Sequence, residues 1–382
     1  MVHRRSRRGC GRTLPQTFEN INLVFNMTED NHPNHPSGET RAESGRTSAR
    51  NHGPSHRQLM QHDTMFGYRF LPGLKLRVEH EGGGYLIKTN QEGFRCNSEV
   101  TPGKSMGKRV LVFGDSYTAG DGVSNGKRYS EVLEKNLNDT EVLNFGLSGS
   151  GTDQQYLIYQ QYADKVEHDM VVIGVLVENI QRIVLESREW SDRDGQPLIV
   201  PKPWYELSAA NELVLRGVPV QAPYSLPAEK TVAKSNAVGR FGALRKLVNM
   251  FGPEFKDFIQ KMTRYQPLPE YKTADSRGWR LMSAILGQWI ANSKVPVKIV
   301  VLPVYHYVEK TASYADIRKR FDEFAEANNA TVHHAVDDLW AYPASVRRTF
   351  RFQTDCHLTP LAHEVIGKSL ANMLAPEQGN KK

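Results

Sequence analysis

Cysteine is scarce in this chain. Cys10, Cys96 and Cys356 are the only three in 382 residues. Their odd number and wide spacing, without a CxxC pair, support neither a disulfide framework nor a zinc site. Long apolar runs are missing too: the longest are short segments such as MVVIGVLV at 170–177, far below the roughly 20 residues a membrane-spanning helix needs. No membrane span is expected. The RRSRR near the start is followed only by INLVF, too short for the apolar core of an export signal, so the cytoplasm is the expected location. Met27 offers a second start that would omit the most basic segment. There is no P-loop, and GLSGSG at 146–151 does not fit GxGxxG. HEVIG at 363–367 lacks the second His of HExxH, and Ser124 with Lys127 is an SxxK without an SDN or KTG elsewhere. The expectation is no metal and no cofactor, with His363 on a helix surface.

What is present describes an ordinary globular protein. Hydrophobic residues make up 39% and charged residues 24%, enough apolar side chains for one sizeable core. The net charge of +7 is concentrated at the start, where residues 1–60 carry nine arginines against five acids. A basic tail without a nucleic-acid-binding signature is a solvated extension, so no nucleic-acid partner is expected.

Composition divides the chain. Residues 1–62, rich in Arg, His, Ser, Gly, Asn and Pro, cannot bury enough apolar surface to offset the entropy of ordering and read as a disordered basic tail. Residues 63–105 alternate short apolar runs with PG and GGG breakers and read as a β-hairpin lead-in. From 106 to 375 β-branched runs alternate with helical spacing, and 376–382 form a C-terminal tail. The predicted strands are RVLVF at 109–113, EVLNFGL at 141–147, MVVIGVLV at 170–177, KIVVLPVY at 298–305 and TVHHAV at 331–336. Between them lie helices marked by Tyr129, Val132, Leu133 and Leu137, by a capping box of Thr152 with Gln155 leading to Lys165, by Trp279, Met282, Leu286, Trp289 and Ile290, and by Ile317, Phe321 and Phe324. The last helix starts at Thr359 with Pro360 in its first turn and buries Ala362, Val365, Ile366 and Leu370. An irregular Pro-rich insertion spans about 186–275, with one helix across FGALRKLVNM and EFKDFIQKM. Strands alternating with helices predict a flavodoxin-like three-layer α/β/α fold with a central parallel sheet of about five strands.

Ligands of such sheets bind beyond the carboxyl ends of the strands. There the chain places Asp115 and Ser116, then Ser148, Gly149, Ser150 and Gly151, then Glu178 and Asn179, and finally Asp355, Cys356 and His357. A serine hydroxyl needs a base to take its proton during attack, and an imidazole from another strand-end loop can supply one. Asp355, two residues before His357, suits the role of orienting the ring and stabilising the imidazolium. Ser116 N–H, Gly149 N–H and the Asn179 amide are candidate donors to a developing oxyanion.

GDSY at 114–117, NFGLSGSGTDQ at 144–154, the Asn179 region and DCHLTPLAH at 355–363 together resemble the four blocks of the SGNH hydrolases, also called GDSL-like lipases and esterases. The resemblance implies Ser116 as nucleophile, His357 and Asp355 as the rest of a catalytic triad, and Ser116, Gly149 and Asn179 as the oxyanion hole. Two departures stand out: Glu178 and Ile180 flank Asn179 where the family usually reads GxND, and one residue separates Asp355 from His357 where it often has two. The hairpin lead-in is similar to that of bacterial members associated with polysaccharide metabolism. It implies a small-molecule or carbohydrate ester substrate, an O-acetyl group foremost. An O-acyltransferase with the same triad and a catalytically silent glycan-binding module are the alternatives. Oligomeric state stays open.

Overall fold

The computed structural model describes residues 58–191, 196–225 and 266–375. The helix expected across FGALRKLVNM and EFKDFIQKM, most of the N-terminal tail and the C-terminal tail lie outside the described residues.

Two antiparallel hairpins lead in: β1 (Met60–Asp63) with β2 (Gly67–Phe70), and β3 (Lys75–Val78) with β4 (Tyr85–Lys88). β1 starts inside the stretch that composition assigns to the tail, because Met60 pairs with Phe70 and both side chains are buried. The GGG between β3 and β4 provides Gly83 and Gly84 at φ +86° and +78°, a backbone region that other residues seldom enter. That turn carries His80 and Glu81.

The core sheet comprises β5 (Lys108–Gly114), β6 (Thr140–Asn144), β7 (Met170–Leu176), β13 (Val297–Leu302) and β14 (Thr331–His334), in the order β14-β13-β7-β5-β6 with every pair parallel. The near-continuous apolar text of β5 and β7 suits strands covered on both faces. Phe113 packs on Tyr159 and Trp289, at 5.7 and 5.5 Å between ring centroids. Its neighbour Gly114 lies against Thr118, whose hydroxyl bonds Tyr129 on the opposite side. Thus α3 (Thr152–Tyr162) and the later helix Arg277–Asn292 cover one face. α1 (Ser116–Ala119) and α2 (Tyr129–Asn136) cover the other, joined there by the C-terminal helix Pro360–Leu374. Among the described residues the helices after α3 are, in chain order, α4 (Asn179–Arg182), α5 (Arg277–Asn292), α6 (Tyr305–Val308), α7 (Ala315–Asn328), α8 (Ala335–Trp340), α9 (Ala344–Arg347) and α10 (Pro360–Leu374). Among the described residues no helix is long and apolar enough to cross a membrane.

Several expected boundaries move, each for a local reason. The second strand stops at Asn144, whose side-chain amide leaves the strand pattern to bond Thr118 O and Ser130 Oγ. The fourth ends at Leu302, before Pro303, and the fifth at His334, where α8 begins. The cap of α3 is Gly151 rather than Thr152. Gln154, not Gln155, reaches back to accept from the Gly151 N–H at 3.2 Å. The helix ends at Tyr162 and a single 3₁₀ turn covers Ala163–Lys165.

The described part of the insertion carries regular strands. β8 (Ser187–Ser191), β9 (Pro197–Pro201) and β12 (Tyr224–Ser225) form an antiparallel sheet, and β10 (Trp204–Leu207) pairs with β11 (Leu213–Arg216). It docks through apolar packing of Leu198, Val200 and Tyr205 and through charge: Lys202 and Asp153 of α3 form an ion pair with both side chains fully buried. Burial pushes the carboxyl up and the ammonium down.

Gly146, two residues past β6, lets the chain approach α1. A Cβ there would lie 2.4 Å from Ala119 N and 2.8 Å from the Thr118 carbonyl carbon, backbone atoms that no rotamer change can move. We expect Gly146→Ala to lower the unfolding free energy by about 1–3 kcal/mol, measured as an earlier midpoint in urea. An unchanged midpoint would mean that α1 shifts without cost.

Candidate active site

Because the core strands run parallel, the loops that follow β5, β6 and β7 emerge along one sheet edge. β5 ends on Gly114, where any Cβ would collide with Thr118 Oγ1. Asp115 then caps α1, accepting from the Tyr117 N–H at 3.1 Å. Ser116 is the first residue of that helix and is 5% exposed. The final loop is held by an antiparallel bridge between Arg351 and Leu358 and by Thr359 N–H donating to Phe350 O. This loop carries Asp355, Cys356 and His357.

The two loops meet. The Tyr117 hydroxyl donates to Cys356 O at 3.0 Å, and the Tyr117 and His357 rings are 5.4 Å apart. Asp355 Oδ1 accepts from His357 Nδ1 at 2.5 Å and from the His357 backbone N–H at 3.0 Å. With Nδ1 donating, Nε2 is the nitrogen left to act as a base. Burial by itself pulls the His357 imidazole down. The adjoining Asp355 carboxylate outweighs it, aided by Asp121 and Asp115, and the ring is pushed up to about 9. Burial would raise Asp355, but the His357 charge and hydrogen bonds from His357 and His80 hold it well below the usual carboxylate range.

Gly149 and Asn179 follow β6 and β7. Gly149 adopts φ +77°, and its carbonyl accepts from Arg188 Nη1 of β8 at 3.1 Å. Ser148 Oγ donates to Asp121 Oδ1 at 2.7 Å, tying this loop to the one after α1. Asn179 opens α4 and is fully buried. Arg182, one turn on, donates from Nη1 to Asn179 Oδ1 at 3.3 Å and to Asp115 Oδ2 at 2.8 Å. A guanidinium only donates, so the amide oxygen must face Arg182 and Nδ2 must face the other way. There Nδ2 makes only a long contact, 3.4 Å, to Thr152 Oγ1. Burial raises the Asp115 carboxyl to about 6 in spite of Arg182.

The sequence pointed to Ser116, Gly149, Asn179, Asp355 and His357. It missed Arg182, His80, Glu81 and Asp121. The spacing of Arg182, three residues after Asn179, was a usable signal. His80 carried none, since only the tertiary fold brings the β3–β4 turn to the last loop. His363 needs correction: it is 1% exposed rather than on the helix surface. Its Nδ1 accepts from the Tyr129 N–H at 3.2 Å, and burial, with Arg128 and Arg95 adding to it, pushes the ring down to about 3. Among the described residues, Asp355, Cys356 and His357 have donor atoms within 4.8 Å of one another, close enough for a cation. Nδ1 and Oδ1 already bond each other, so a cation would have to compete with that bond.

The charge pair links stability to pH. The raised His357 contributes fully below its ordinary value near 6.5 and loses that contribution as pH rises through about 9. The depressed Asp355 contributes above the ordinary carboxylate range and loses it as pH falls. We expect Asp355→Asn to cost on the order of 1–3 kcal/mol near pH 5.5, and less at pH 10, by urea unfolding at each pH. A cost independent of pH would show that the pair is not ionised as described.

No protein-family model matches the chain, and no curated protein matches it. Solved structures similar to it include a member of the lipolytic protein G-D-S-L family from Veillonella parvula, 12% identical, with a TM-score of 0.37 over 70% of this chain and 97% of that one. A lipase/acylhydrolase from Enterococcus faecalis is 13% identical, with a TM-score of 0.35 over 70% and 94%. An alpha/beta hydrolase enzyme from the metagenome of Lake Arreo, Spain, is 12% identical, with a TM-score of 0.38 over 70% and 95%.

Proposed function

We propose that the chain is a serine esterase that hydrolyses an acyl ester through an acyl-Ser116 intermediate. The observation that carries this reading is the hydrogen-bonded His357–Asp355 pair, set against the Ser116–Tyr117 segment by the Tyr117–Cys356 bond. His357 Nε2 takes the Ser116 hydroxyl proton as Oγ bonds the ester carbonyl carbon. The oxyanion so formed is held by the Ser116 and Gly149 N–H groups and by Asn179 Nδ2, whose direction Arg182 fixes. Collapse breaks the bond to the alcohol, which leaves with the proton from His357. Water then repeats the sequence on the acyl-serine and restores the enzyme. Asp355 keeps its charge throughout and stabilises the imidazolium.

The narrower reading is an O-acetyl group on a carbohydrate, following the resemblance of the hairpin-led domain. An acyltransferase would share every step up to the acyl-serine and differ only in letting a sugar hydroxyl replace water. A sugar acceptor that diverts product from hydrolysis distinguishes it.

Ser116→Ala is expected to cost on the order of 10⁴ to 10⁶ in kcat on a small chromogenic acetate ester, and a fluorophosphonate is expected to label Ser116. Equal rates in both proteins would leave a silent glycan-binding module as the better reading. Labelling of Ser148 or Ser150 would move the nucleophile to the next loop.

A further inference from the structure

The charge pair has a third member that comes from outside the α/β domain. His80, on the turn between β3 and β4, places Nε2 3.0 Å from Asp355 Oδ2, with both side chains only 8% exposed. A carboxylate only accepts, so Nε2 carries the hydrogen. The Gly82 N–H directed at His80 Nδ1, at 3.4 Å, agrees with that tautomer. The ring is held edge-on between Phe352 and Tyr85, at 4.3 and 5.7 Å between centroids. Beside it, the Glu81 carboxylate accepts from the backbone N–H groups of Thr354 and Asp355 and from the Thr354 hydroxyl. One hairpin turn therefore grips the backbone of the last loop and the free oxygen of its carboxylate together. A surface contact between two loops would not need a buried, tautomer-specific donor aimed at that oxygen.

We propose that His80 is a positioning residue that acts through Asp355, its Nε2–H fixing the carboxylate plane and setting how much of the carboxylate's charge reaches His357. The inference deepens the esterase reading and rests on it. With the donor gone, Oδ2 loses its partner, while both bonds from His357 to Oδ1 remain. More of the negative charge then falls on the imidazole, which holds its proton to higher pH. The other groups that face His357 are Asp115 at the cap of α1, Tyr117 within α1 and Asp121 just after it. His363 of α10 also feels the His357 charge. None of these is hydrogen-bonded to His80, whose ring packs beside Gly122, next to Asp121; His80→Gln controls for a shift of that neighbour.

The test compares the wild-type full chain with His80→Phe, which keeps a ring but has no donor, and with His80→Gln, which restores an N–H. Two readouts are taken over pH 5–11: the His357 titration by imidazole NMR, and kcat/KM on a chromogenic acetate ester. His80→Phe is expected to move the His357 titration and the acidic limb of kcat/KM upward together by about 0.5 to 1 in pH. That makes it about three- to tenfold slower at pH 7 and nearly equal to wild type at the alkaline plateau. His80→Gln should follow the wild-type curve in both. A His357 titration that stays put or falls in a folded His80→Phe overturns the proposal, as does a rate loss that is the same at every pH. If instead the titration moves as expected while Ser116→Ala matches wild type in rate, the esterase reading fails and the coupling of His80 to the pair stands.

Discussion

Asp355 accepts on both oxygens, from His357 on one and from His80 on the other, and its backbone N–H is held by Glu81. A charge so little exposed is tolerable only when its partners are all in place. The constraint reaches well beyond the site. The last loop must close across its Arg351–Leu358 bridge. The hairpin must dock its turn on that loop, and α1 must bring Tyr117 beneath it. Three segments far apart in the chain are thereby made to assemble as a unit.

A similar economy governs the loop after β7. Asn179 is followed by Ile180 and preceded by Glu178, whose carboxylate pairs with Arg182 at 3.5 Å. Arg182 also spans the Asn179 oxygen and Asp115, linking the turn after β5 to the loop after β7. Asp115 thus has two tasks: it caps α1 with one oxygen and anchors Arg182 with the other. Removing its charge would loosen the serine turn and the Asn amide at once.

The five core strands were legible because parallel strands covered on both faces must be apolar along their length, and that text survives in any context. Gly114, Asp115 and Ser116 were legible because a tight turn and a helix cap have fixed residue preferences. Boundaries were less so. Asn144 ends β6 through bonds to Thr118 and Ser130 that only the folded chain supplies. Gly151 stands as cap in extended backbone, with the Gln154 side chain accepting from its N–H, a pairing that spacing alone assigned one residue later. His363 read as a surface residue because a polar side chain on a helix usually faces water. Here the stripe is wide enough to take it in, and the Tyr129 N–H satisfies one of its nitrogens. His80 lay beyond any local rule, since neither periodicity nor a motif connects position 80 with position 355.

The insertion after β7 contributes more than bulk. Through Lys202 it neutralises Asp153 inside α3, and through Arg188 it holds the carbonyl of Gly149. A trimmed version of this protein that kept only the parallel sheet and its helices would therefore strand a carboxylate in the interior and slacken the glycine turn beside it. What looks like an appendage in the linear text is a counter-ion for the scaffold, and no minimal α/β core can be cut from this chain without first redesigning position 153.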